Sequence, residues 1–178
     1  MIIDIFPTKI IQEDNALSQE SLQSIYNFIL ENGEDTKIVM TDELLGLSEL
    51  KSVIFSNATM LVKEYGFTKI TVSDRFSTHF YPAGKEIEME THSDDLGDVG
   101  RKFIAFFYLE AEENAGGELE IFDPRWLNAA WHQKSSSIKI QPVTNKLVIF
   151  PTFLWHKVTK YCPKFFPRMA IDVVISVS

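Results

Sequence analysis

Four side chains scattered over the second half of the chain could do chemistry together: His92, Asp94, His156 and Arg168. Two imidazoles and one carboxylate can occupy one face of an octahedral iron and leave the remaining positions open for reactants. An arginine on the strand after the second histidine can grip a carboxylate-bearing molecule beside that metal through its two-pronged guanidinium. None of the four carries this reading alone; their order, their spacing and the elements beneath them do.

His92-Ser93-Asp94 is a His-x-Asp pair at the end of a candidate strand. In extended chain, residues two apart point to the same side, so both side chains can reach one ion. With four histidines and 25 acidic residues in 178 positions, roughly half a His-x-acid match is expected by chance. The pair alone also fits a surface turn, because Ser93 to Asp98 has the composition of a polar loop. Support comes from His156, 62 residues after Asp94, which opens a strand just beyond the buried-type run Lys146–Pro151. The other two histidines serve as controls: His79 sits inside a strand, His132 in a polar loop, and neither has a carboxylate two residues on.

Arg168 follows His156 by 12 residues and opens a mostly apolar final strand. An arginine facing into such a sheet needs an anionic partner, since an unpaired buried charge is costly. Asp172 or another local carboxylate could serve; so could a ligand carboxylate.

The elements that must position these residues follow from periodicity. Ile2–Phe6 reads as a short strand ending at Pro7. Leu22, Ile25, Tyr26, Ile29 and Leu30 recur at helical spacing, with Ser18 as N-cap and Gly33 as stop. A second helix is expected over about Ser48–Tyr65, with Leu50, Val53, Ile54, Leu61 and Val62 as its apolar stripe and Gly66 as its end. From Lys69 onward strand follows strand: Lys69–Ser73, Thr78–Tyr81, Ile87–His92, Lys102–Glu110, Glu118–Phe122, Ser137–Gln141, Lys146–Phe150, His156–Lys160 and Met169–Val177. Helices first and strands second predict an α+β fold, a double-stranded β-helix (jelly roll) with N-terminal helices packed on one sheet. The whole chain, 1–178, reads as a single domain, with 1–74 as helical support and 75–178 as the jelly-roll core.

Composition agrees. The chain's 178 residues fit one domain, and a hydrophobic content of 45% supplies a sizeable core. Fourteen phenylalanines, concentrated in the second half, suit strands buried on both faces. A formal charge of −8 argues against nucleic acid as the main partner, which would need a basic surface. Cys162 is the one cysteine, so no internal disulfide can form, which fits a reducing compartment. The apolar start, Met1 to Phe6, is too short for a signal peptide and contains Asp4. No apolar run reaches the roughly 18 residues of a membrane span, so the expected location is cytoplasmic.

From Phe80 to Val174 the chain resembles the 2-oxoglutarate/Fe(II)-dependent dioxygenases, and within them the prolyl-hydroxylase-like branch. The resemblance rests on Tyr81-Pro82-Ala83-Gly84, His92-Ser93-Asp94, Arg101 through Tyr108-Leu109, Gly116-Gly117-Glu118-Leu119, Lys146 to Phe150 before His156, and Arg168. It implies that His92, Asp94 and His156 bind Fe(II) and that Arg168 pairs with the distal carboxylate of 2-oxoglutarate. Tyr108 matches a tyrosine that hydrogen-bonds that carboxylate, and Tyr81 one lining the same pocket. Arg101 matches a position near the substrate entrance in some relatives. Three departures stand out. The 12-residue spacing is longer than usual in prolyl hydroxylases, leaving Lys164 as a second candidate anchor. Ala170 replaces a serine of many small-molecule relatives. Gly116-Gly117 is in itself only a tight-turn signal.

The family's chemistry couples decarboxylation of 2-oxoglutarate by O2 to hydroxylation of a substrate C–H bond. By resemblance the substrate is a prolyl or other residue of a peptide or protein; a free amino acid or small metabolite is the alternative. Two further readings stay open: a non-catalytic jelly-roll module that binds metal and 2-oxoglutarate, and a cupin-type metalloenzyme that would not need Arg168. The expected substrate loops are Asp95–Gly100 and Asn128–Ser136, and neither their composition nor anything else in the sequence gives the oligomeric state.

Overall fold

A computed structural model describes residues 1–5, 8–32, 37–39, 44–90, 101–122 and 136–178. Among them are the strands β1 (Ile2–Ile5), β2 (Thr8–Asp14), β3 (Lys37–Val39), β4 (Ile70–Tyr81), β5 (Ile87–Glu90), β6 (Arg101–Glu110), β7 (Leu119–Phe122), β8 (Ser137–Ile140), β9 (Lys146–Pro151), β10 (His156–Val158) and β11 (Arg168–Val177). The helices are α1 (Gln19–Asn32) and α2 (Leu45–Glu64). The strands form two sheets, one of seven strands in the order β1-β2-β9-β6-β11-β4-β3 and one of four in the order β5-β10-β7-β8. From β4 onward, β4, β6, β9 and β11 belong to the larger sheet and β5, β7, β8 and β10 to the smaller, and every pairing is antiparallel. That is the jelly roll expected from the strand spacing.

The two-residue period of the long strands explains why both faces of the larger sheet are apolar. On β6, Phe103, Ala105, Phe107 and Leu109 face the helices, while Ile104, Phe106 and Tyr108 face the smaller sheet. On β11, Met169, Ile171, Val173 and Ile175 join the helical layer and Ala170 the inter-sheet layer. A sheet covered on both sides needs apolar residues at nearly every position, and six of the fourteen phenylalanines (Phe76, Phe80, Phe103, Phe106, Phe107 and Phe150) lie on its strands. The helices complete the outer layer with Ile25 and Ile29 of α1 and Leu50, Ile54, Ala58, Leu61 and Val62 of α2.

The helix signals act as their chemistry dictates. Ser18 Oγ accepts a hydrogen bond from the Ser21 amide at 3.3 Å, the N-cap geometry. Helix α2 stops in a Schellman turn: Gly66, at φ 81°, donates to the Lys63 carbonyl, and Phe67 donates to that of Val62.

Three differences from the sequence reading concern the first half of the chain and β4. Thr8–Asp14 and Lys37–Val39 are strands of the larger sheet, β2 between β1 and β9 and β3 at the opposite edge; the first lacks two-residue alternation and the second is only three residues long. Lys69–Ser73 and Thr78–Tyr81, expected as separate strands, are one continuous β4. Ser73, Asp74 and Arg75 sit at a bulge, since Val173 pairs with Phe76 while Ile175 pairs with Val72. Among the described residues no helix is long and apolar enough to cross a membrane.

Candidate active site

The two sheets diverge around a cleft of about 630 Å³ whose walls include Tyr81, His79 and Ser77 of β4, Asp172 and Val174 of β11, and Glu90 and His156 of the smaller sheet. Behind Tyr81, one of its wall residues, Arg168 is fully buried, with 0% of its surface exposed. Register explains the placement: Arg168 is the direct cross-strand partner of Tyr81, and Ala170, two residues on, is the partner of Tyr108. All of these side chains fall on the inner face.

The Arg168 guanidinium carbon lies 3.7 Å from the centroid of the Tyr81 ring and 5.7 Å from those of Tyr108 and Tyr161. An aromatic cage of this kind favours a cation through the ring quadrupole. It does not satisfy the hydrogen-bonding capacity of the group. Nη1 donates to the Gly117 carbonyl oxygen. Nε and Nη2 have no partner among the described residues, and neither do the buried hydroxyls of Tyr81 and Tyr108. No carboxylate among the described residues lies within ion-pair distance of Arg168. The local candidate, Asp172, is taken up by His79 Nε2 instead. Lys164, the other possible anchor, is exposed on the loop before β11, where its amide donates to Glu112.

Four orphaned donor groups thus converge in a space with no acceptor of matching charge. Leaving buried donors unpaired costs on the order of 1–3 kcal/mol each. A carboxylate, which only accepts, has the lone pairs to satisfy them. The residues therefore fit the distal carboxylate of 2-oxoglutarate. Burial pushes the Tyr81 hydroxyl up to about 12, opposed by the nearby Arg168 charge. Burial raises Tyr108 further, again against Arg168. Both hydroxyls are consequently protonated donors at neutral pH.

His156 is buried at the start of β10. Its Nδ1 donates to the Leu154 carbonyl at 3.0 Å, and its ring meets Phe150 edge-on at 5.1 Å. Anchoring Nδ1 fixes the orientation of the ring, an arrangement in which Nε2 could bind a metal. Glu90 Oε1, across the strand pair, is 3.7 Å from Nε2. His92 and Asp94, the other expected ligands, lie outside the described residues, as do His132 and the expected substrate loops except for Ser136. Among the described residues no group of three His, Cys, Asp or Glu side chains is placed to hold a metal. Arg101 opens β6, and only its backbone is described.

Two contributors escaped the sequence reading. Gly117, read only as a turn residue, has φ 73°, and a Cβ there would sit 2.9 Å from both Arg168 Nη1 and Tyr161 Cδ2. Only glycine allows its backbone so close to the arginine. Tyr161 walls the cage, and its hydroxyl accepts from the Glu112 amide at 3.0 Å. Glycine doublets and isolated tyrosines carry no signal for such a role without knowledge of what they face.

The model of the 2OG-Fe(II) oxygenase superfamily matches residues 76–175, more than half of the chain. The chain belongs to this superfamily. As a 2OG-Fe(II) oxygenase it is an oxidoreductase that works with Fe(II), 2-oxoglutarate and O2. Solved structures with the same fold include a Pseudomonas putida prolyl-4-hydroxylase, with a TM-score of 0.69, 14% identity and coverage of 94% of this chain and 84% of that one. The viral collagen prolyl hydroxylase of Paramecium Bursaria Chlorella virus-1, in its 2OG complex, matches with a TM-score of 0.69 and 17% identity over 95% of this chain and 96% of that one. A Trichoplax adhaerens prolyl hydroxylase in complex with a hypoxia inducible factor oxygen degradation domain peptide fragment matches with a TM-score of 0.63 and 15% identity, covering 94% of this chain and 83% of that one. No curated protein matches the sequence.

Proposed function

We propose that this oxygenase hydroxylates a C–H bond in a prolyl or other residue of a peptide or protein, with His92, Asp94 and His156 holding Fe(II) and Arg168 holding 2-oxoglutarate. The observation that carries the reading is the orphaned donor set of Arg168, Tyr81 and Tyr108. These groups bind and orient the far carboxylate of the co-substrate, and the anchored His156 imidazole faces the same cleft. Bound iron supplies the activation of O2 that the side chains cannot supply. The apolar inner face of Ile104, Phe106, Phe150 and Val158 excludes water from that space. A peptide substrate is favoured by the prolyl-hydroxylase-like fold and by a cleft that runs along β4 from Tyr81 to Thr71, about 30 Å of strand.

The test is succinate release from purified protein given Fe(II), 2-oxoglutarate and panels of proline-containing peptides, free amino acids and nucleobases. Stimulation by peptides above the substrate-free rate is expected. Stimulation only by free amino acids would move the assignment to a small-molecule hydroxylase. Binding of 2-oxoglutarate with no succinate under any condition would identify a binding module.

A further inference from the structure

Beyond the co-substrate pocket, one pair of side chains on the cleft wall has no part in the chemistry above. His79 Nε2 and an Asp172 carboxylate oxygen are in hydrogen-bond contact across β4 and β11. Asp172 is on the same face as Arg168, four residues on and about 13 Å further along the strand. His79 is two residues from Tyr81 and stacks on Phe106, with ring centroids 6.3 Å apart and planes at 15°. Both side chains line the cleft.

Its chemistry is selective. The Asp172 side chain is only 16% exposed, yet His79 is its one partner among the described residues. An ionised carboxylate accepts several hydrogen bonds, and a mostly buried one with an uncompensated charge is costly. The neighbouring wall residues Ile104, Phe106 and Val174 offer no donor side chain. Ser77 is the direct cross-strand partner of Asp172 and adds only a neutral hydroxyl to the wall. On the facing sheet Glu90 contributes a second carboxylate to the cleft. The one arginine among its lining residues, Arg75, is at the β4 bulge, two residues before Ser77 on the same side of the strand, and makes no ion pair with Asp172.

We infer that Asp172, braced by His79, is a specificity-determining residue that takes a cationic nitrogen of the substrate, a lysine ammonium or arginine guanidinium flanking the hydroxylated residue. The inference rests on the proposed peptide-hydroxylase reading and adds the charge class of its substrate. His79 holds the carboxylate in one rotamer, and the apolar walls strengthen the attraction by excluding solvent.

The experiment measures binding rather than turnover. Protein loaded anaerobically with Mn(II) and 2-oxoglutarate is titrated, by fluorescence anisotropy, into two labelled proline-centred nonapeptides that differ only in carrying lysines or glutamates around the proline. The lysine peptide should bind at least tenfold more tightly. Asp172→Asn, which keeps a polar contact to His79 but removes the charge, should weaken the lysine peptide about tenfold and leave the glutamate peptide unchanged or tighter. His79→Gln should give a smaller loss in the same direction. Thermal melts with and without 2-oxoglutarate establish that each variant is folded; Asp172→Ser replaces Asp172→Asn if the latter does not fold. Equal affinity for the two peptides, binding of neither, or an equal loss for both in the Asp172 variant overturns the inference. Absence of any 2-oxoglutarate shift in the wild-type melt overturns the co-substrate reading instead, so the two failures are separable.

Discussion

Arg168 and Tyr81 are direct partners across the β11–β4 ladder, and the guanidinium carbon of one stands 3.7 Å from the ring centroid of the other. The cation is thereby fixed by the sheet itself, with two of its nitrogens left unpaired. A buried charge in this state is stabilised most by the arrival of an anion.

Replacing Arg168 by Met should therefore separate binding from stability. The loss of a bidentate charge-assisted contact, about 2–3 kcal/mol, lowers 2-oxoglutarate affinity on the order of 30- to 150-fold. In the absence of ligand the variant should melt no lower than wild type, because an uncompensated buried charge has been replaced by an apolar chain. Calorimetric titration and thermal melts check both halves. An unchanged 2-oxoglutarate affinity would show that the anchor is elsewhere.

Gly117→Ala tests the close approach beneath the arginine. The new methyl group would meet Arg168 Nη1 and Tyr161 at 2.9 Å in a backbone already at φ 73°. Gly66→Ala is the control, since it shares the positive φ but has nothing within 4 Å of the added atom. Each should lose about 1 kcal/mol to backbone strain. Only Gly117→Ala should also weaken 2-oxoglutarate binding, by roughly tenfold, as read by titration.

The tyrosines predict an alkaline limit. Burial raises the Tyr81 pKa from its ordinary 10.0 to about 12, so from about pH 10 upward the unfolded chain has lost a proton that the folded one keeps. The stabilisation this group contributes is complete below pH 10 and falls as pH rises to 12, with a slope of about 1.4 kcal/mol per pH unit. Tyr108, raised further, adds to the same decline. Denaturation curves between pH 9 and 12 should flatten in Tyr81→Phe, while the absorbance change of phenolate formation loses its step near pH 12.

The metal site is tested ligand by ligand. His92→Ala, Asp94→Ala and His156→Ala should each abolish succinate release, a loss of about 10³-fold or more, and reduce Fe(II) affinity by at least tenfold. His156→Ala should also leave the Leu154 carbonyl without the imidazole donor it has at 3.0 Å, a small further cost in stability. Retained turnover in a His92/His156 double variant would remove the iron assignment for these residues.

Much of the architecture was legible because it is local. Ser18 caps a helix and Gly66 ends one through bonds made within a few residues of themselves. The strands from β5 to β11 follow from two-residue alternation and turn chemistry, to within a residue or two at their ends. What escaped was decided by neighbours far along the chain. β2 pairs with β9, over 130 residues away, and β3 with β4; β2 has no two-residue alternation and β3 is only three residues long, so neither announces itself locally.

The same division runs through the site. The residue types and their order determined by themselves that the chain carries a His-x-Asp pair, a later histidine and a following arginine, and that Arg168 would need an anion. The tertiary structure decided which anion it could not be. Strand alternation puts Arg168 and Asp172 on one face, but the β4–β11 register brings His79 to Asp172 and Tyr81 to Arg168. Register is a long-range property, set by the packing of two sheets and a helical layer rather than by any local preference. It turns an ordinary carboxylate into a separate feature of the cleft and leaves the arginine waiting for a ligand.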